Sequence, residues 1–293
     1  LVVKCFFEET TNTAQYVVSC ARTNEAAIID PVLDYELSTG VTGTKSADLL
    51  LDHVSKQDLN VKYLLETHVH ADHITSACYL KQELERSQDL PPKTCISKNI
   101  AIVQKQFSQT YQLDIPCDGS QFDCLLEDND KLTVGDVPFT VMNTPGHTPA
   151  CVSYLADNQC IFVGDTLFMP DSGTARCDFP GGSAEEMWQS LQKILRLDPS
   201  LKVYVCHDYL AGGKRKTYQW ESSIAEQKKN IQVDGSDAGK YQNFRTTRDS
   251  ALNLPKLIHP SLQFNLTAGI PPNSSFVKMP LTTQWYSSNK KKE

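Results

Sequence analysis

The chain has 293 residues, 40% hydrophobic and 22% charged, the balance of a water-soluble globular protein with enough apolar residues for a large core. Its net charge is −7 with acidic and basic residues interspersed, so no basic stripe is offered to nucleic acid or to an anionic membrane. No run approaches the ~20 apolar residues that cross a bilayer, so a soluble protein without nucleic-acid or membrane partners is expected.

Residues 1–7, 14–20 and 25–29 are β-rich runs separated by polar turns such as Arg22-Thr23-Asn24-Glu25, which predicts an antiparallel meander ending at Asp30-Pro31. The first run lacks the basic flank and cleavage site of a secretory signal, and the sequence opens on Leu1 without methionine, which is compatible with removal of a mitochondrial transit peptide. Residues 47–56 have apolar positions at helical spacing, and 61–65 form a short apolar strand running into a histidine cluster. Helices are predicted at 74–86 and 100–107, with Pro91-Pro92 breaking the chain between them. From 122 the pattern returns to short strands, at 122–126, 131–134, 138–142, 152–155 and 160–163, whose spacing predicts a second sheet. An amphipathic helix at 185–197, a strand at 202–205 and a helix at 219–230 follow. Beyond them the chain is polar with scattered turns, ending in a frayed tail at 290–293. Two strand-rich halves, each followed by helices, predict two sheets face to face with helices outside. Ten cysteines at irregular spacing, without CxxC, predict free thiols in a reducing compartment, cytoplasmic or the mitochondrial matrix. Asn265-Leu266-Thr267 and Asn273-Ser274-Ser275 fit the glycosylation pattern and carry little weight.

The chemistry concentrates in Thr67-His68-Val69-His70-Ala71-Asp72-His73, where three imidazoles and a carboxylate directly follow a predicted strand. On an extended backbone His68 and His70 project to one side, and a turn brings Asp72 and His73 toward the same point. Neutral imidazole and carboxylate together suit zinc, iron or manganese. With seven histidines in the chain, three in six positions is not a chance polar loop. Three further sites stand at predicted strand ends: Thr144-Pro145-Gly146-His147, Gly164-Asp165 and His207-Asp208-Tyr209. Each alone reads as an ordinary turn or a satisfied histidine, and Gly146 and Gly164 as turn glycines. Together they complete a ligand set.

That ordered set, HxHxDH, then His after TPG, then GD, then His after a strand, resembles the metallo-β-lactamase superfamily over about residues 17–231. The resemblance implies an αββα four-layer sandwich with the metal site at one edge between the sheets: a catalytic domain over 1–235, and a C-terminal extension over 236–293 packed on it. In a two-metal site His68, His70 and His147 would hold one ion, and Asp72, His73 and His207 the other, with Asp165 bridging. The segment Thr144-Pro-Gly-His-Thr-Pro-Ala-Cys151 is similar to the TPGHTPGC of persulfide dioxygenases, with Ala150 for glycine, and lacks the Gly-His pair that glyoxalase II enzymes carry after TPGHT. Ala175-Arg176-Cys177-Asp178-Phe179 is similar to their GRTDF and His207-Asp208-Tyr209 to their HDY, while Ala268 stands where some members have cysteine.

This narrower resemblance implies one Fe(II) per chain on His68, His147 and Asp165, a 2-His-1-carboxylate triad with open positions for O2 and a sulfur ligand. Glutathione persulfide would be converted to sulfite and glutathione. His70, Asp72, His73 and His207 would orient ligands and waters. The alternative is a thioester hydrolase with one or two zinc ions on the same residues. Arg176 and Asp178 are candidates for the substrate wall, as a mutual brace or with Arg176 facing a glutathione carboxylate. Tyr209 reads as a donor to bound thiol or oxygen, or as packing. Lys214-Arg215-Lys216 reads as a solvated run, and Cys151 as a small buried residue rather than a nucleophile. A homodimer is left open.

Overall fold

Along each central strand successive side chains turn to opposite faces, and that alternation builds the layers. In the computed structural model, which describes residues 1–272 and 276–280, Tyr16, Val18, Ile29 and Leu65 enter one core while Val17, Ile28 and Leu64 enter another. The first sheet has the order β1 (Val2–Glu8), β2 (Thr13–Ser19), β3 (Glu25–Ile29), β6 (Asn60–Leu65), β8 (Lys93–Ser97), β9 (Cys124–Leu126). Pairing is antiparallel from β1 to β3 and parallel from β3 onward. The second sheet runs β10 (Lys131–Val134), β11 (Val137–Asn143), β12 (Val152–Ala156), β13 (Cys160–Phe162), β14 (Lys202–Tyr204), β15 (Glu221–Ser223), with only β13 and β14 parallel. Tyr16, Phe139, Tyr154 and Phe162 fill the space between the sheets.

Helices α1 (Lys45–Lys56) and α2 (Ala77–Ser87) cover the outer face of the first sheet with Leu50, Val54, Leu80 and Leu84. On the second, α4 (Ala184–Leu195), α6 (Ile224–Gln227) and α7 (Ala238–Asp249) contribute Met187, Leu191, Ile224 and Tyr241. Further helices are α3 (Ile100–Tyr111), the irregular turn α5 (Leu210–Gly213) and α8 (Ile258–Asn265); α3 and α8 share a core with Val69 and Ala71. The expected αββα sandwich is thus the observed architecture. All ten cysteines are free, and no helix among the described residues is long and apolar enough to cross a membrane.

Several expectations are corrected. The meander β1–β3 ends before Asp30-Pro31 as expected, but an unforeseen ribbon follows, β4 (Val32–Glu36) and β5 (Val41–Gly43), and its other neighbour is β7 (Ile74–Thr75), so the helix expected from residue 74 starts at Ala77. The run at 122–126 does not open the second sheet. It closes the first, because β9 pairs parallel with β8, a short buried strand that escaped notice for want of period-two alternation. The helix expected over 219–230 is split by β15, and a capping box between Ser223 and Glu226 starts α6 late. The polar C-terminal stretch contains α7 and α8. Helix α8 is buried on all sides, its Ser261, Gln263 and Asn265 included, so it shows no amphipathic period. Asn273-Ser274-Ser275 and the tail at 290–293 lie outside the described residues.

Candidate metal centre

The two sheets are stitched at one end, where Ala14 N donates to Cys206 O at 2.7 Å and Asp208 N to Asn12 O at 3.2 Å. Loops from both sheets meet there. The turn after β6 carries His68 to His73, the β11–β12 loop His147, the turn after β13 Asp165, and the end of β14 leads to His207. Two glycines allow the approach. Gly164 has φ +52° and lies so close to Thr67 that a Cβ would fall 2.5 Å from its Oγ1; at Gly146, φ +144°, a Cβ would fall 2.4 Å from Met187 Cα.

His68, His147 and Asp165 form one group, their ligand atoms all within 4.8 Å of one another. His68 Nε2 and His147 Nε2 lie 3.9 and 3.6 Å from Asp165 Oδ2, too far for good hydrogen bonds and suited to a cation between them. Both rings are fixed from behind: His68 Nδ1 lies 3.0 Å from the Thr67 hydroxyl, which donates to Asp30, and His147 Nδ1 donates to the Arg176 carbonyl at 2.8 Å. Ring partners of this kind set the tautomer that leaves Nε2 free for a metal.

His70, Asp72, His73 and His207 form a second group. Asp72 Oδ2 is 3.3 Å from both His73 Nδ1 and His207 Nε2, and His207 Nε2 is 3.3 Å from Asp165 Oδ1. Asp165 therefore stands between the groups. So does His70, with ring centroids 4.1 Å from His68 and 4.2 Å from His73. The Thr13 hydroxyl lies 3.5 and 3.3 Å from His73 Nδ1 and His207 Nδ1.

Buried polar atoms almost always find partners. Here His68 Nε2, His70 Nδ1, His73 Nε2, His207 Nε2 and Asp165 Oδ1 have none among the described residues. Five orphaned ligand-type atoms of the right chemistry, belonging to the two clustered groups, fit a metal ion or a pair of ions. Burial, then the neighbouring imidazoles, push His68 well below the ordinary histidine range, and burial with His70 lowers His73 against the pull of Asp72, favouring the neutral form a metal needs. Burial also opposes protonation of His70, but the carboxylates of Asp30 and Glu66, 3.1 and 3.2 Å from its Nε2, outweigh it and hold the ring well above that range.

Three supporting residues went unread in the sequence. Asp30, at the end of β3, accepts from Thr67 N and Thr67 Oγ1 as well as facing His70. An acidic residue at the end of a strand, as at Gly164-Asp165, was the available signal. Glu66 is buried beside it and accepts from Thr75 Oγ1. Asn265, on α8, donates to the carbonyls of His70 and His73 at 2.8 Å and accepts from Thr75 N; its only local signal was the glycosylation pattern, which its burial and these bonds rule out as an exposed acceptor.

The centre opens on a cleft of about 1190 Å³, walled near the ligands by Phe168, Arg176, Phe179 and Tyr209, with Lys214, Lys240, Arg248 and Lys256 farther out. Arg176 is engaged by both oxygens of Asp178, at 2.6 and 2.7 Å, and by the Asn253 carbonyl, and stacks on Phe179, which meets the His147 ring edge-on. This is the bracing arrangement. Tyr209 stacks on His207 at 5.8 Å and faces the cleft. The Lys214-Arg215-Lys216 run is not uniformly solvated, since Arg215 pairs with Asp208 and Asp171. Cys151 is buried, its sulfur facing Thr148 and its thiol pushed by burial to about 12.

The family profile described as the metallo-beta-lactamase superfamily matches residues 10–207. Glyoxylase B2 of Dictyostelium discoideum is 44% identical over 289 residues, covering 95% of this chain and 96% of that protein. Persulfide dioxygenase ETHE1, mitochondrial, of Bos taurus is 31% identical over 211 residues, 71% of this chain and 69% of that one. Among solved structures, ETHE1 from Myxococcus xanthus superposes with a TM-score of 0.73 at 28% identity, covering 92% of this chain and all of its own.

Proposed function

The chain belongs to the metallo-β-lactamase superfamily, and on that premise we propose that it is an iron-dependent persulfide dioxygenase, taking glutathione persulfide, O2 and water to sulfite and glutathione. The observation that carries the reading is the separate group of His68, His147 and Asp165, a 2-His-1-carboxylate set whose two rings are locked through Nδ1. Ferrous iron held by these three would supply access to O2 and open coordination positions beside a sulfur donor. The chain's own residues do the rest. The Arg176 carbonyl keeps His147 in the ligating tautomer, while Phe168 and Phe179 line the wall with apolar surface that limits water near the reacting sulfur. Tyr209 is placed to donate to bound thiol or oxygen, and Lys214, Arg248 and Lys256, in a wall that also carries Glu36, Asp171 and Asp234, are the candidate partners for the carboxylates of the tripeptide. ETHE1 from Myxococcus xanthus, matched over its whole length, supports the same reading.

A second reading is a zinc or mixed-metal thioester hydrolase. It is favoured by the 44% identity with glyoxylase B2 across nearly the full chain, and by the complete second group of Asp72, His73 and His207 beside Asp165. Metal analysis and an oxygen electrode separate the two. The dioxygenase reading expects about one iron per chain, with O2 uptake and sulfite formation on glutathione persulfide. Two zinc ions per chain with rapid cleavage of S-lactoylglutathione and no O2 uptake would overturn it.

A further inference from the structure

Away from the metal centre, β8 and β9 run parallel at the edge of the first sheet in a register that sets Cys95 directly opposite Cys124. Aligned residues on neighbouring strands project to the same face with Cα atoms about 4.8 Å apart, inside the ~4.4–6.8 Å that a disulfide spans. Both side chains pack against the inter-sheet core, Cys95 fully buried and Cys124 half-buried on the edge strand. The Cys95 thiol donates to the Lys93 carbonyl at 3.5 Å. The neighbouring Cys95 sulfur, helped by Lys93 and Lys81, draws Cys124 down to about 6 against its burial, while Cys124 and burial push Cys95 well above the ordinary thiol range. Cys124, on the edge strand, is thus the thiol that reagents can reach, and it stands opposite a buried partner that they cannot.

We propose that Cys95 and Cys124 are a dithiol modification site that low-molecular-weight disulfides, glutathione disulfide among them, oxidise to an intramolecular disulfide. The Cys124 thiolate attacks one sulfur of glutathione disulfide, breaking its S–S bond and releasing one glutathione thiolate. Cys95 then gives its proton to that thiolate and attacks the Cys124 sulfur of the mixed disulfide. The Cys95–Cys124 bond forms, the second glutathione thiolate leaves and takes a proton from solvent, and two electrons have passed from the protein to the glutathione disulfide. The product ties the edge strand β9 to β8. Cys95 also offers its carbonyl to Glu66 N at 3.0 Å, so the strand that carries the dithiol also holds the start of the His68–His73 loop.

The test incubates reduced protein with glutathione disulfide, alkylates the remaining thiols with iodoacetamide after denaturation, and digests with trypsin. The expected result is loss of two of the ten thiols and a disulfide-linked pair of peptides, 94–98 with 106–131. Because 106–131 also contains Cys117, the link must vanish in Cys124→Ser and persist in Cys117→Ser. A second measurement does not require the disulfide to form: alkylation of Cys124 in the native protein should rise through pH about 6, and through a higher pH in Cys95→Ser. A stable glutathione adduct on Cys124, a link through any other cysteine, or a Cys124 profile unmoved by Cys95→Ser would overturn the proposal.

Discussion

The two ligand groups are built from the same residue types but are supported differently. In the first, each ring is fixed by a partner that is itself fixed, His147 by a backbone carbonyl and His68 by a threonine hydroxyl tied to Asp30. In the second, His73 and His207 share one hydroxyl, Thr13, at 3.5 and 3.3 Å, His207 also faces the Asn12 carbonyl at 3.2 Å, and both lean on Asp72, whose side chain is 22% exposed against 9% for Asp165. Preorganised ligands lose little freedom on binding a metal, so on the proposed reading the first group, with the shorter ring hydrogen bonds and the more buried carboxylate, is expected to be the stronger site. The two groups meet in Asp165 and His70, and every experiment on one therefore reads the other.

The largest effect is expected from His68→Ala, His147→Ala or Asp165→Ala, each of which should abolish metal retention and turnover while leaving the far-ultraviolet circular dichroism intact. Metal analysis of the purified variants checks this, and retention of full metal by His147→Ala would refute the ranking. A smaller effect is expected in the second group: Asp72→Ala, His73→Ala and His207→Ala should cost ~10 to 100-fold in metal affinity or activity with stoichiometry unchanged. A fall from two ions to one in Asp72→Ala would instead make the groups equal partners in a dinuclear hydrolase. The smallest is expected from Asn265→Ala, which frees the His70 and His73 carbonyls and the Thr75 amide together. It should lower stability by about 1–3 kcal/mol, read by denaturant unfolding of the metal-free protein, and weaken metal binding by about tenfold. Loss confined to stability, with metal affinity unchanged, would show that α8 supports the fold without tuning the site.

The site was far more legible than the fold around it. The HxHxDH cluster reads directly because it crowds three imidazoles into a loop after a strand, whereas His147, Asp165 and His207 read only as a set, through an order after strand ends that resembles a known family. Asp30 is not legible as a site residue because it directly follows the last strand of the meander, where an acidic residue before proline is an ordinary turn former. Asn265 escaped because its partners lie 192 and 195 positions away in sequence. Among the elements, β2, β3, β6 and α4 were readable from apolar spacing, whereas β8 and α8 were not, since an element buried on every side loses the alternation that periodicity detects.

By itself the sequence determined two strand-rich halves with helices and the seven ligand-type residues in their order, because residue chemistry and short-range spacing are local properties, and the αββα class followed from the family resemblance that this order carries. Only the tertiary structure decided that β9 belongs to the first sheet, that His147 is held by the carbonyl of Arg176, and that Asn265 grips the ligand loop. The same holds for Arg176, whose guanidinium is bound by Asp178 and Asn253, and for the meeting of Cys95 with Cys124. In each case the deciding interaction joins distant segments, and such pairings are fixed by the packing of two sheets and their helices into one core, which no local pattern encodes.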